Sequence, residues 1–122
     1  MPNYARAGRA VEHDTRHVLT EAGYWTIRSA ASKGDVDIIA MKPGQTLLVQ
    51  CKRRGSLPPA EWNALWSLAV RLGAVPVLAQ VKLAPRRVVL HRLTAPKDGT
   101  PRRQPMEPFA IDEIEAALSA PQ

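Results

Sequence analysis

Two apolar runs, Val36 to Met41 and Thr46 to Lys52, are separated only by Lys42-Pro43-Gly44-Gln45. A connection that short, built on a Pro-Gly pair, leaves no room for a crossover, so the two runs must form a hairpin or meander. Strand side chains alternate between faces, which puts Gln50 and Lys52 on one side of the second run and Val49 and Cys51 on the other. Asp37, on the neighbouring run, can converge on the Gln50 and Lys52 side. An acid, an amide oxygen and an ammonium group at the margin of a sheet are thereby predicted.

The remaining chain supplies what such a sheet needs to be covered. From about Ala5 to Ala22, Val11, Thr15, Val18, Leu19 and Ala22 recur at helical spacing, and Gly23 is a natural stop. Glu12 lies at the shoulder of this apolar stripe. Tyr24 to Ser29 reads as a first strand. Pro58-Pro59 opens a second helix, whose buried side is carried by Trp62, Leu65, Trp66, Leu68, Ala69 and Leu72 and which ends at Gly73. Ala74 to Val81 and Val88 to Leu93 read as further strands. Because the second helix lies between two strands, that pair is expected to be parallel with a right-handed crossover.

The predicted architecture is therefore a single α/β domain with a central mixed five-stranded sheet flanked by helices. Residues 1–94 form the core. Residues 95–105 are rich in proline, glycine and charge and read as a basic loop. Phe109 to Leu118 regains a helical pattern, a last helix expected to pack on the core or on a partner subunit.

With 122 residues, 45% of them hydrophobic, the chain suffices for one domain and not for two. Seventeen basic against eleven acidic residues, a formal charge of +6, favour a polyanionic partner, and nucleic acid is the chief candidate. The basic residues are scattered, as on a folded surface, rather than gathered in a tail. A lone cysteine excludes an intramolecular disulfide, and no stretch resembles a signal peptide or a membrane span, so a cytoplasmic location is expected. His13 and His17 stand at i, i+4 without a third ligand close in sequence, a poor start for zinc. No phosphate-cradling glycine loop occurs.

Phosphodiester cleavage needs a positioned water, a Lewis acid for charge developing on the nonbridging oxygens, and help for the departing alkoxide. Asp37, the side-chain carbonyl of Gln50 and Glu12 are candidate magnesium ligands, and Lys52 is the candidate for stabilising the transition state or orienting the water. Arg53 and Arg54, directly after Lys52, and Arg6 and Arg9, one or two helical turns from Glu12, are candidate phosphate contacts. Taken singly, each of these reads as a solvated surface residue, and Asp35 competes with Asp37 for the same face. Their order and strand context, in a basic chain with no other catalytic motif, favour the set. Trp62 and Trp66, at helical spacing, read as core or subunit interface rather than as stacking platforms.

Several ordered stretches point to a family. Arg6-Ala7-Gly8-Arg9-Ala10-Val11-Glu12, Gly23 to Ser32, Val36-Asp37-Ile38-Ile39-Ala40 and Gln50-Cys51-Lys52 resemble the archaeal-type Holliday junction resolvases of the PD-(D/E)XK nuclease superfamily. A weaker likeness runs through Leu72 to Ala79, so the resemblance covers most of residues 5–93. It implies a restriction-endonuclease-like fold, and a homodimer that nicks two opposing strands of a four-way DNA junction in recombination and repair. The implied cation is magnesium, for which manganese can substitute.

By position, Glu12 and Asp37 match the family's metal-binding acids, Lys52 its catalytic lysine and Ser32 a serine in its active-site loop, with Arg28 and Lys33 beside that loop as DNA contacts. Gln50 departs from the pattern, since these resolvases usually carry Glu there. Val49-Gln50-Cys51-Lys52-Arg53 is similar instead to Mrr-type restriction nucleases, which use Gln. The alternatives are accordingly a restriction-like nuclease acting on duplex DNA and a noncatalytic junction-binding module. The pattern fits a cellular enzyme or one acting in the cytoplasm of a phage-infected host.

Overall fold

The computed structural model describes residues 4–29, 36–83, 86–99 and 103–110, with side chains in the first helix from residue 10 onward. Among these residues the elements in chain order are α1 (Tyr4–Glu21), β1 (Trp25–Arg28), β2 (Ile38–Lys42), β3 (Gln45–Lys52), α2 (Pro59–Leu72), β4 (Val75–Lys82), β5 (Arg87–Leu93) and β6 (Met106–Pro108). The strands lie side by side in that same order in one sheet. All neighbours are antiparallel except β3 and β4, which run parallel on either side of the α2 crossover.

Each helix covers one face. Strict alternation along β3 sends Leu47 and Val49 into a cluster with Leu19 and Ala22 of the α1 side, together with Ile38, Val77 and Ala79. Leu48 goes the other way, to Leu57, Trp62, Leu65 and Ala69 on the α2 side, with Leu78 and Leu93. The β2–β3 register, Ile38 opposite Val49 and Lys42 opposite Gln45, keeps both strands in phase with this division. Gly44, at φ +80°, occupies the corner after Pro43 that only a glycine takes without strain. A one-residue slip would turn both apolar sets outward, so burial on two faces holds the register firmly.

The C-terminus of α2 is set by Gly73, left-handed at φ 66°, ψ 30°. Its N–H and that of Ala74, which reaches Ala69 O at 2.8 Å, close the last turn. A Cβ at Gly73 would meet no atom within 4 Å. Gly73→Ala should therefore lower stability by about 1 kcal/mol through backbone conformation alone, read as a shifted urea midpoint with an unchanged slope.

The sheet has one strand more than the sequence pattern predicts. Met106–Pro108 pairs antiparallel with β5, His91 opposite Pro108 and Leu93 opposite Met106. Three residues that follow one proline and end on another have too little periodicity to announce a strand; the open edge of β5 recruits them, with Thr94 N donating to Pro105 O at 2.8 Å. The segment read as a loop is likewise anchored. Trp62, fully buried, donates its indole N–H to Ala95 O at 2.8 Å, and Asn63 brackets the backbone of Lys97 from both sides. The predicted last helix does not begin at Phe109, whose N–H instead donates to Leu90 O at 2.9 Å, and residues 111–118 of it lie outside the described residues.

Candidate active site

The chemistry-bearing side chains collect where β2 and β3 leave the hairpin on the side away from the Pro-Gly turn. Asp37 precedes β2 but is still held as strand backbone: its N–H donates to Val49 O and its C=O accepts from Ser29 N, both at 2.8 Å. Its Oδ2 accepts from Cys51 N–H at 2.8 Å. A carboxylate seated on a strand amide has a fixed direction, which a solvated strand-end aspartate would lack.

Burial pushes the Asp37 carboxyl above the ordinary aspartate value. The Cys51 amide opposes the shift, Glu12 and Glu61 add to it by like-charge repulsion, and Lys52 counters them. Asp37 thus sits in one electrostatic neighbourhood with Glu12 from α1, Glu61 from α2 and Lys52 from β3. Acids drawn from two helices act on one half-buried carboxylate, a charge arrangement that a cation would relieve.

Glu12 is largely shielded and accepts from Arg28 Nε at 2.6 Å. With His13 and Arg16 these two line a recess of about 220 Å³. Arg16 Nε donates to Thr26 Oγ1 at 3.3 Å, which ties α1 to β1 beside that recess. Lys52 Nζ stands 3.7 Å from Glu61 Oε2 and is about one-third exposed. Arg28, expected to touch DNA, is therefore turned onto a site acid.

Gln50 carries the most telling atom. Its Oε1 is buried and has no hydrogen-bond partner. A buried carbonyl oxygen left unpaired costs about 1–3 kcal/mol, so it is poised for a partner not supplied by the chain. Among the described residues, no three His, Cys, Asp or Glu side chains form a metal group. A cation here would need the amide oxygen as third donor beside Asp37 and Glu12. Hard oxygen donors of this kind suit a divalent cation of the oxygen-preferring class.

Cys51 points to the α1 side and takes no part. Burial first, then the Asp37 charge, push its thiol up to about 12, against a smaller opposing bond with Thr15. It stays protonated. His17 Nε2 lies 3.9 Å from Glu21 and joins no metal group.

Arg53 and Arg54 are exposed in the turn after β3, where with Lys82 and Arg86 they line a cavity of about 500 Å³ beside Val11 of α1. Ser32 and Lys33, and the side chains of Arg6 and Arg9, lie outside the described residues. Sequence reasoning missed Glu61, Lys82 and Arg86. Glu61 reads as an ordinary first-turn helix acid, and no local pattern ties it to Lys52 across the intervening loop.

A mixed sheet with α1 and α2 on opposite faces, and acids, an amide and a lysine at one end of its central hairpin, defines the restriction-endonuclease-like class. Within that class, the family model for the archaeal Holliday junction resolvase (Hjc) matches residues 3–99, and the chain belongs to that family. The chain is 43% identical over 52 residues to the crossover junction endodeoxyribonuclease Hjc of Methanocaldococcus jannaschii, a match spanning 43% of this chain and 38% of that relative's length. It also superimposes on the solved structure of Hjc, a Holliday junction resolvase, from Archaeoglobus fulgidus with a TM-score of 0.64, covering 93% of this chain and 100% of the other at 20% identity. That likeness concerns the fold. Membership in this nuclease family implies a divalent metal in general. No described helix is long and apolar enough to cross a membrane.

Proposed function

We propose that this chain is a magnesium-dependent endonuclease that binds four-way DNA junctions and nicks two opposing strands, acting as a homodimer in the cytoplasm. What supports this reading is the buried, unpartnered Gln50 Oε1 on the same strand as Lys52, together with the charges of Glu12 and Lys52 acting on the half-buried Asp37 carboxyl. Asp37, Glu12 and Gln50 would hold the cation. When bound, it supplies Lewis-acid stabilisation of charge on the scissile phosphate.

The chain's own groups do the rest. Cys51 N–H aims the Asp37 carboxylate. Lys52, steered by Glu61, presents an ammonium to the attacking water or to the developing phosphorane charge. Arg53, Arg54, Lys82 and Arg86 offer a cationic wall for the DNA backbone. Val70 and Leu72, the latter expected on the buried side of α2 but exposed with it at the helix end, are apolar surface suited to a subunit contact, and a two-fold dimer would place one site on each of two related strands. The nuclease core is assigned to residues 1–94, with 95–122 packing on it or on a partner subunit.

The test is cleavage of labelled four-way junction, linear duplex and single strand, with magnesium and with chelator. Paired nicks in the junction alone, abolished by chelator, are the expected result, with binding that weakens steeply as salt rises. Equal cutting of linear duplex would point to a restriction-like enzyme. Gln50→Glu adds a charged ligand and should raise cleavage at limiting magnesium; tight junction binding with no cleavage by either form would identify a noncatalytic module.

A further inference from the structure

Lys97 is a charged residue in an unusual setting. Only 8% of it is exposed. Its ammonium donates to Leu57 O at 2.7 Å and to Ser56 Oγ at 3.2 Å, and it stands 4.3 Å from the centre of the Trp62 ring. Among the described residues it has no carboxylate partner. Both its backbone groups are held by Asn63, with Lys97 N donating to Oδ1 at 2.7 Å and Lys97 O accepting from Nδ2 at 2.9 Å.

A buried ammonium without a counter-ion is a poor way to hold two elements together, since an apolar side chain of the same length would fill the space without the desolvation cost. What an ammonium can do, and a methionine cannot, is donate several hydrogen bonds to oxygens of one short loop. That loop is residues 53–58, which joins β3, the strand of Gln50 and Lys52, to α2, the helix of Glu61. Its other tethers converge on the same stretch: the Gln80 amide, itself nearly buried, donates to Gly55 O, and Ser56 Oγ donates to Gln104 Oε1 at 3.2 Å. Its backbone carbonyls are pinned from β4 and from residue 97, and its Ser56 side chain is tied to residue 104, while Arg53 and Arg54 stand exposed at its start.

We propose that Lys97 is a positioning residue for DNA binding, holding the 53–58 loop so that Arg53 and Arg54 are presented ready-ordered to the phosphate backbone. This rests on the assignment of those two arginines as DNA contacts. Ordering them in advance removes the entropy that two long, flexible side chains on a loose loop would lose on binding. The segment following β5 thereby becomes part of the DNA-binding apparatus without itself touching DNA.

The experiment compares full-length wild type, Lys97→Met, Asn63→Ala and the Arg53→Ala/Arg54→Ala pair, each assayed well below its own melting temperature. Asn63→Ala frees the Lys97 backbone and carries the test should Lys97→Met fail to fold. Both single variants should speed trypsin cleavage after Arg53 and Arg54 by about tenfold or more. They should raise the junction Kd by about tenfold, with a salt slope shallower by about 1–2 and kcat at saturating junction unchanged. Lys97→Met should add nothing to the loss already present in the arginine pair.

Unchanged trypsin susceptibility and unchanged Kd in both variants would overturn the proposal. So would a loss of affinity that persists in full on the arginine-pair background, because Lys97 would then act elsewhere. Faster proteolysis without loss of affinity would overturn it too, and an unchanged Kd for the arginine pair alone would locate that failure in the assignment of the DNA contacts.

Discussion

Lys52→Ala is expected to lower the rate of junction cleavage by about 10²–10³-fold, the usual cost of deleting one preorganised charge stabiliser from a nuclease-type site. Junction affinity should stay within about a factor of three, because Lys52 already interacts with Glu61 at 3.7 Å and the backbone contacts fall to other cations. Single-turnover cleavage beside a gel-shift titration separates the two. Full cleavage by the purified variant would remove Lys52 from the mechanism.

Asp37→Asn should abolish cleavage outright, yet it should make the metal-free protein more stable. The sign follows from burial, which holds the folded-state pKa of Asp37 above its unfolded value. At low pH both states carry the proton and nothing is lost. As pH rises, the unfolded chain releases its proton first, so stability falls until the folded-state pKa has been passed, and the deficit remains at neutral pH. Asparagine keeps an oxygen for the Cys51 N–H and removes the charge. A higher Tm at neutral pH in chelator is expected, with the difference vanishing at low pH where both states of the wild type carry the proton. A site that sacrifices stability to hold a charged ligand gives this signature; a merely structural aspartate would give the opposite.

Trp62→Ala is the substitution expected to damage the fold most. Trp62 is fully buried at the centre of the α2-side core, against Leu57, Leu65, Leu78 and Leu93. Truncation of such a side chain costs about 3–5 kcal/mol, a large part of the 5–15 kcal/mol that a domain of this size commands. The loss goes beyond the cavity. Ala95 O would lose its indole donor, and the Lys97 ammonium would lose the ring beneath it. Trp62→Phe should cost less, about 1–3 kcal/mol, chiefly the unpaired carbonyl. Urea unfolding followed by far-UV circular dichroism measures both, and near-wild-type stability of Trp62→Ala would contradict the core assignment.

Much of the fold is legible because it is written at short range. The 3.6-residue spacing of Val11, Thr15 and Leu19 marks α1, and the alternation of Leu47 through Lys52 separates the two faces of β3. The Pro43-Gly44 corner makes β2 and β3 antiparallel, and the interposed α2 makes β3 and β4 parallel. The Gln50 and Lys52 side of β3 and its association with Asp37 also follow from alternation across a hairpin. Strand β6 does not, because three residues among prolines have no period of their own and form a strand only against an edge that already exists.

What tertiary structure alone decided are the relations between groups far apart in the chain. Arg28 pairing with Glu12, Glu61 standing beside Lys52, the empty hydrogen-bonding capacity of Gln50 Oε1 and the seating of Lys97 on the 53–58 loop each depend on how helices and loops close around the sheet. By itself the sequence determined which residues alternate, which recur and where the chain must turn, since those are properties of neighbours along the backbone. Which charges meet, and which buried oxygen is left without a partner, was decided by long-range packing, because desolvation and ion pairing act through space.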